Sequence, residues 1–265
     1  MPNYPSMIDR EDFLDLFHQM MQPHSSIRVI RLLGEGKMGK SHLMTKVLPA
    51  IIADHYDVYQ CLIIDMRQET SSVPDYLHQI SSLLSSSLPS SFPAFNTAYQ
   101  EWLNRPKINI SGMSALLAKI SVTAREGEDD AKRFWPKLTT AFANDLQRHT
   151  EKNIIFLFDT VNDSRETVQD WLMDMLLVHL ARMEHVRVIV AGRHLPDANG
   201  SYARQCEHFE LRPVKDEQPY IDYCRTHAPQ LKESEISMLA RVFEYHPGQF
   251  AEALPRALAG GGSHA

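Results

Sequence analysis

Apolar residues along this chain arrive in two alternating patterns. Blocks that are largely apolar occur at 27–33, 58–66, 153–159 and 186–191, and a mixed stretch at 206–211 reads as a fifth strand. Branched and aromatic side chains in runs of that length predict β-strands, and unbroken hydrophobicity predicts strands covered on both faces. The block at 58–66 is read as a central strand of this kind. Between the blocks, apolar residues recur every three to four positions, which predicts amphipathic helices. One opens near Asp9, a candidate N-cap, buries Phe13, Leu14, Phe17, Met20 and Met21, and stops at Pro23. Others follow from 40 to about 55, from about 73 to 84, around Tyr99 and Trp102, over 135–149 and over 167–183. After Pro213 the helical spacing continues alone, over 216–227, 233–244 and 248–258. Strands alternating with helices predict an α/β fold with a parallel sheet, here followed by a short all-helical module.

Residues 81–130 interrupt that rhythm. Serine crowds 81–91, the stretch 108–122 fits neither period, and Glu126-Gly127-Glu128-Asp129-Asp130 reads as a solvated acidic loop. The stretch is expected to be an insertion in a crossover of the α/β unit. At the far end, Gly260-Gly261-Gly262-Ser263 has linker composition.

The junction of the first strand and its helix carries the chemistry. Gly34-Glu35-Gly36-Lys37-Met38-Gly39-Lys40-Ser41 is a glycine, four residues, then Gly-Lys-Ser. Strand, glycine-rich turn and helix in that order are the setting in which this pattern cradles phosphates. Glycines let the backbone curl so that its N–H groups face an anion, and the helix that follows adds its positive end. Lys40 is expected to reach the outer phosphates and the Ser41 hydroxyl to hold Mg²⁺, with His42 bordering the site. Such a loop calls for an acid that holds the metal through water. Asp159, ending an apolar strand, is the candidate. Thr160 stands where many related proteins carry a second acid. Asn162, Asp163 and Glu166 follow, and Asp163 is the candidate for orienting the attacking water. The fourth strand runs into Gly192-Arg193, which makes Arg193 a candidate contact to the γ-phosphate.

Composition narrows the remaining choices. A chain of 265 residues, 43% hydrophobic, suits one large α/β domain with a small appendage. No apolar run reaches the length of a membrane span and the N-terminus lacks a signal-peptide core, so a cytoplasmic protein without membrane contact is expected. Cys61, Cys206 and Cys224 are odd in number and widely spaced, as reduced thiols are. The 13 histidines show no ligand spacing. A net charge of −6 argues against nucleic acid as the main ligand.

Taken in order along the chain, five elements resemble the STAND-type P-loop ATPases, the signalling group that includes the NB-ARC and NACHT modules within the wider AAA+-like class. They are the lead-in Met7-Ile8-Asp9-Arg10-Glu11-Asp12-Phe13-Leu14, the phosphate loop with Asp159, the strand end Val190-Ala191-Gly192-Arg193, the junction Phe209-Glu210-Leu211-Arg212-Pro213, and Tyr245-His246-Pro247-Gly248 with the helix after it. The resemblance implies a five-stranded parallel sheet in the order 5-1-4-3-2. It implies a nucleotide-binding domain over 1–213 (insertion about 81–130), a helical lid over 214–258 and a tail over 259–265. It places Arg10 beside the base, and His246 and Pro247 at the start of a lid helix over the nucleotide. ATP or ADP with Mg²⁺ would be the cofactors, slow hydrolysis the activity, and protein partners or self-assembly the output. Asp9 in place of a glycine and Thr160 in place of an acid depart from the pattern, and the second puts rapid hydrolysis in question. No 20–50-residue repeat is visible, so the chain is either the nucleotide module of a larger protein or a minimal member. A phosphotransferase acting on a small molecule and a non-hydrolysing scaffold stay open as alternatives.

Overall fold

A computed structural model describes residues 7–56, 58–67, 72–86, 92–105, 116–149 and 152–260. Five strands, β1 (Val29–Leu33), β2 (Tyr59–Asp65), β3 (Asn153–Asp159), β4 (Val186–Gly192) and β5 (Cys206–Glu210), form one sheet. The order is β2-β3-β4-β1-β5 and every pairing is parallel, as the resemblance implied. Every residue of β4 is buried, as is every residue of β3 beyond Asn153. Both runs are apolar apart from the buried Arg187 and the end residues Asn153 and Asp159, because helices cover both of their faces.

Alternation along each strand splits the core in two. Ile154, Phe156 and Phe158 of β3, with Val186, Val188 and Val190 of β4, face the helices Val73–Ser85, Pro93–Leu103, Leu116–Gln147 and 166–180. Ile155, Leu157, Ile189 and Ala191, with Ile30 and Leu32 of β1, face the helices Glu11–Met21 and 40–55. Each large side chain buried this way contributes about 1.5–3 kcal/mol against the entropy of ordering the chain. A third cluster joins the helices Gln218–His227, Glu233–Val242 and Pro247–Gly260 through Tyr220, Cys224, Ile236, Ala240 and Phe250. Tyr220 and Phe250 meet edge to face at 4.9 Å. Ile8, from the lead-in to the first helix, belongs to this cluster and so ties the chain start to the helical module. Among the described residues no helix is long and apolar enough to cross a membrane.

Three expectations need correction. The strand over 58–66 is an edge strand, with Ile63 38% and Val58 59% exposed. Its apolar composition serves mainly one face, where Leu62 and Ile64 enter the core. The acidic run 126–130 lies inside the helix Leu116–Gln147 and is not a loop. The first helix begins at Glu11 after Arg10, while Asp9 sits at φ 49° and makes no cap. Part of the serine-rich stretch, residues 106–115 of the unassigned region and the tail 261–265 lie outside the described residues.

Candidate functional site

At the carboxyl edge of the sheet, β1 ends at Leu33 and the chain turns through 34–39 into the helix 40–55. This edge is where open parallel sheets bind ligands. Gly34 has φ +152°, and a Cβ there would stand 2.9 Å from the Leu211 carbonyl oxygen. Only glycine lets the turn lie that close to the strand end of β5. Lys37 (φ 65°) and Gly39 (φ 92°) take left-handed conformations, which set the curl of the loop. The helix starts at Lys40–His42, widens into a π-type turn over Leu43–Val47 and continues over Leu48–His55.

Lys40 lies back along the loop. Its Nζ donates to the Glu35 carbonyl at 2.8 Å and to the Gly34 carbonyl. Burial lowers its pKa, the nearby Arg193 lowers it further, and Asp159 opposes both. Arg193 follows β4, which lies between the loop strand and the strand of Asp159. Its Nε is 4.0 Å from where a Cβ on Gly36 would be, and its N–H donates to Asn162 Oδ1 at 2.8 Å.

Asp159 is 2% exposed. Its carboxylate accepts a hydrogen bond from the Ser41 side chain and another from the Thr160 N–H at 2.9 Å. Burial raises its pKa against the pull of those two bonds. Thr160 sits at φ 55°, a strained conformation for a β-branched residue, and donates from Oγ1 to Asp65 Oδ1 at 2.8 Å. Asp65 is the register partner of Asp159 on β2. Arg67 clasps Asp65 through its backbone N–H, Nε and Nη2 at 2.7–3.0 Å, holding the carboxyl down to about 2. Among the described residues no three or more His, Cys, Asp or Glu side chains form a metal cage. One buried carboxylate with one hydroxyl is a donor set of hard oxygens. It suits Mg²⁺ shared with phosphates and water, not a metal held by protein alone.

A cavity of about 640 Å³ opens over the loop. Gly36, Lys37, Met38 and Gly39 line it together with Lys40, Ser41 and His42. Arg10, Thr160, Asn162, Asp163 and Arg193 form further wall, so the fold brings these residues to one cavity. Gly34 and Glu35 lie beneath the cavity and contribute through their carbonyls. Burial lowers the pKa of His42, and Lys46 adds to the effect. Arg10 is buried and bonds the Met38 carbonyl at 3.2 Å and the Arg212 carbonyl at 3.4 Å, pinning the lead-in to both the loop and the segment after β5.

The third cluster supplies the roof. Tyr223 and His227, stacked at 4.3 Å, face Met7 and Ile8 across the cavity mouth, and Pro247, Gly248, Ala251 and Glu252 close over the loop. Gly248 touches the loop backbone: a Cβ there would stand 2.2 Å from the Lys37 carbonyl oxygen and 3.3 Å from the Gly39 nitrogen. Lys37 and Glu252 pair at 3.8 Å beside this contact. Asp159 lies outside the cavity lining and reaches it through Ser41, and His246 does not reach it. His246 lies outside the lining with Nδ1 2.8 Å from the Gln249 side chain. The turn at Pro247 directs the helix start, not the imidazole, at the loop.

Several of these residues were not found from sequence. Asp65 ends an apolar strand as Asp159 does, and that parallel was the available signal. Tyr223 and His227 lie far from the loop in sequence and carry no motif, and Gly248, though inside the Tyr245–Gly248 element, was not singled out as the residue that meets the loop.

No protein-family model matches the chain, and no curated protein matches it by sequence. Solved structures do match by fold. A Walker-type ATPase of Pyrococcus abyssi superposes with a TM-score of 0.50 at 14% identity, over 92% of this chain and 65% of that one. Cdc6p of Pyrobaculum aerophilum gives 0.51 at 12%, over 91% and 56%. The Orc1 protein of Aeropyrum pernix, in complex with DNA, gives 0.50 at 13%, over 85% and 50%. This chain therefore spans between half and two thirds of the length of these structures. Its fold is the parallel α/β fold that these ATPase structures share.

Proposed function

We propose that this chain is an ATP- and ADP-binding switch module of the STAND type, acting in the cytoplasm with slow Mg²⁺-dependent ATP hydrolysis. The observation that carries the reading is the seating of Gly248 on the phosphate-loop backbone. Residues 214–258 act as a lid on a nucleotide-binding domain over 1–213. Backbone N–H groups of the loop hold the phosphates, Lys40 neutralises the outer ones, and Arg193 senses the γ-phosphate from the tip of β4. Ser41 and Asp159 hold Mg²⁺, which when bound neutralises charge on the β- and γ-phosphates. Asp163 lines the cavity beside Thr160, so either can reach a water at the γ-phosphate. Arg10 shapes the base pocket, Met38 and Tyr223 give it apolar surface, and Pro247 starts the helix that covers it.

The lid makes the switch. ADP beneath it favours the closed arrangement, in which the helix at Pro247 rests on the loop. A γ-phosphate with Mg²⁺ competes with that contact and frees a surface for self-assembly or a protein partner. Nucleic acid stays open as a partner class, because the same fold occurs in a DNA-bound protein and net charge alone does not exclude a local contact.

Asp159→Ala separates binding from chemistry. It is expected to keep Mg²⁺-free ADP affinity and to lose Mg²⁺-dependent turnover, read by calorimetry and phosphate release. Equal loss of ADP affinity with and without Mg²⁺ would point to a folding defect. Transfer of phosphate to an added small-molecule acceptor would make the protein a phosphotransferase, and retained nucleotide without any turnover would make it a scaffold.

A further inference from the structure

We propose that Thr160 and Asp65 together do the work of the missing second acid. Thr160 Oγ1 accepts a hydrogen bond from the attacking water, while Asp65 fixes the hydroxyl proton on the opposite side. The inference rests on the ATPase reading above and concerns how the water is oriented.

A hydroxyl carries one proton and two lone pairs. The Thr160 proton is committed to Asp65 Oδ1 at 2.8 Å, which leaves the lone pairs as acceptors. Thr160 lines the cavity and Asp65 does not. Asp65 accepts from Thr160 and from three Arg67 donors, so its carboxylate is occupied and acts only through Thr160. It is a positioning residue. Thr160 also donates its N–H to Asp159, so one residue bridges the tips of β2 and β3 and fixes the water-orienting oxygen relative to the metal acid. Thr160 makes both attachments from a left-handed backbone at φ 55°. Asp163, the rival, is bonded to the Asn162 amide, whose oxygen is in turn engaged by the Arg193 N–H.

In the reaction a bond forms from the water oxygen to the γ-phosphorus. The bond from that phosphorus to the bridging oxygen breaks, and its electron pair leaves on ADP. The water proton passes to the phosphate product and solvent, and Thr160 and Asp65 end unchanged. An oriented water is tightest in the transition state, so the dyad is expected to affect transition-state binding and not ground-state binding.

The test compares Thr160→Val, Asp65→Asn, the double variant, Thr160→Ser and Asp163→Asn with wild type. Turnover is measured alongside affinity for ADP, ADP·beryllium fluoride and ADP·aluminium fluoride, and folding is checked by circular dichroism. Thr160→Val and Asp65→Asn should lower kcat and aluminium fluoride affinity roughly tenfold or more, with ADP and beryllium fluoride affinity unchanged. The double variant should be no worse than Thr160→Val, and Thr160→Ser should keep most activity. If Asp65→Asn fails to fold, Thr160→Val alone carries the test. Wild-type turnover in a folded Thr160→Val, with Asp159→Ala inactive, overturns the dyad and leaves the ATPase reading standing. Loss in Asp163→Asn alone transfers the role to Asp163. Turnover in wild type no higher than in Lys40→Ala overturns the ATPase reading and the dyad with it.

Discussion

Single side chains at this site are set against their own solvation. Lys40 is drawn out of water and against Arg193, and it tolerates this by donating to the Gly34 and Glu35 carbonyls. A phosphate chain is a far better partner for a buried ammonium than two carbonyls. Lys40→Ala is therefore expected to weaken ADP and ATP binding by about a hundredfold or more, read by calorimetry. Affinity at the wild-type level would remove the phosphate-loop reading altogether. Asp159 shows the opposite side of the same economy. Burial raises its pKa above 3.8, so the folded chain holds that proton more tightly than the unfolded chain does. Stability linked to this group is highest below the unfolded value and falls as pH rises through the raised one. Above that pH the buried charge is a standing cost, which Asp159→Asn removes. The variant is expected to melt higher than wild type at neutral pH without nucleotide, with the gap closing as pH falls towards 4. Thermal melts across pH decide it, and a gap that does not change with pH would trace the gain to something other than the carboxylate.

Among the elements, the helix Pro247–Gly260 has the most consequential contact. Its second residue touches backbone, and backbone cannot swing aside as a side chain can. Gly248→Ala would bring a methyl group within 2.2 Å of the Lys37 carbonyl oxygen, so the helix start must lift from the loop. The variant is expected to fold normally and to release a fluorescent ADP about tenfold faster or more, since a lost contact near 1.4 kcal/mol corresponds to a factor of ten. An unchanged release rate in stopped flow would reduce the helix to a packing element. How far such elements can be read from sequence depends on how local their causes are. β3 and β4 were legible because every residue answers to burial on two faces, and the phosphate loop because its glycines serve its own curl. β2 was misplaced because an edge strand that buries one face well can carry as many apolar residues as a central one. The acidic run was misread because Gly127 and four acids suggest a loop, while the helix depends on the residues after them. The Thr160–Asp65 bond could not be read at all, since its partners are brought together only when β2 pairs with β3. Gly248 is the same case: its reason for being glycine lies at Lys37.

At the scale of the molecule, two apolar clusters sandwich the sheet and a third lies within the helices after Pro213. The third meets the rest through few bridges: Ile8 inside it, Arg10 across the junction, and Gly248 on the loop. The cavity lies at that seam, with the loop on one side and Tyr223, His227 and Pro247 on the other. A nucleotide held there would touch both sides and oppose any motion that separates them. At about 100 times its Kd, a ligand adds about 2.7 kcal/mol to whichever opening must release it, roughly a hundredfold in exchange protection. With ADP at that level, backbone amides at the start of the helix Pro247–Gly260 and along Gln218–His227 should exchange up to a hundredfold slower, and without ADP they should exchange well ahead of β3 and β4, which open only when the sheet does. Gly248→Ala should lose most of the gain in the helices and keep it at the loop. Hydrogen exchange resolved by segment would read both. Helix amides that exchange no faster than β3 and β4 without ADP would mean that the chain opens as one body, and the helices after Pro213 would then not be a lid.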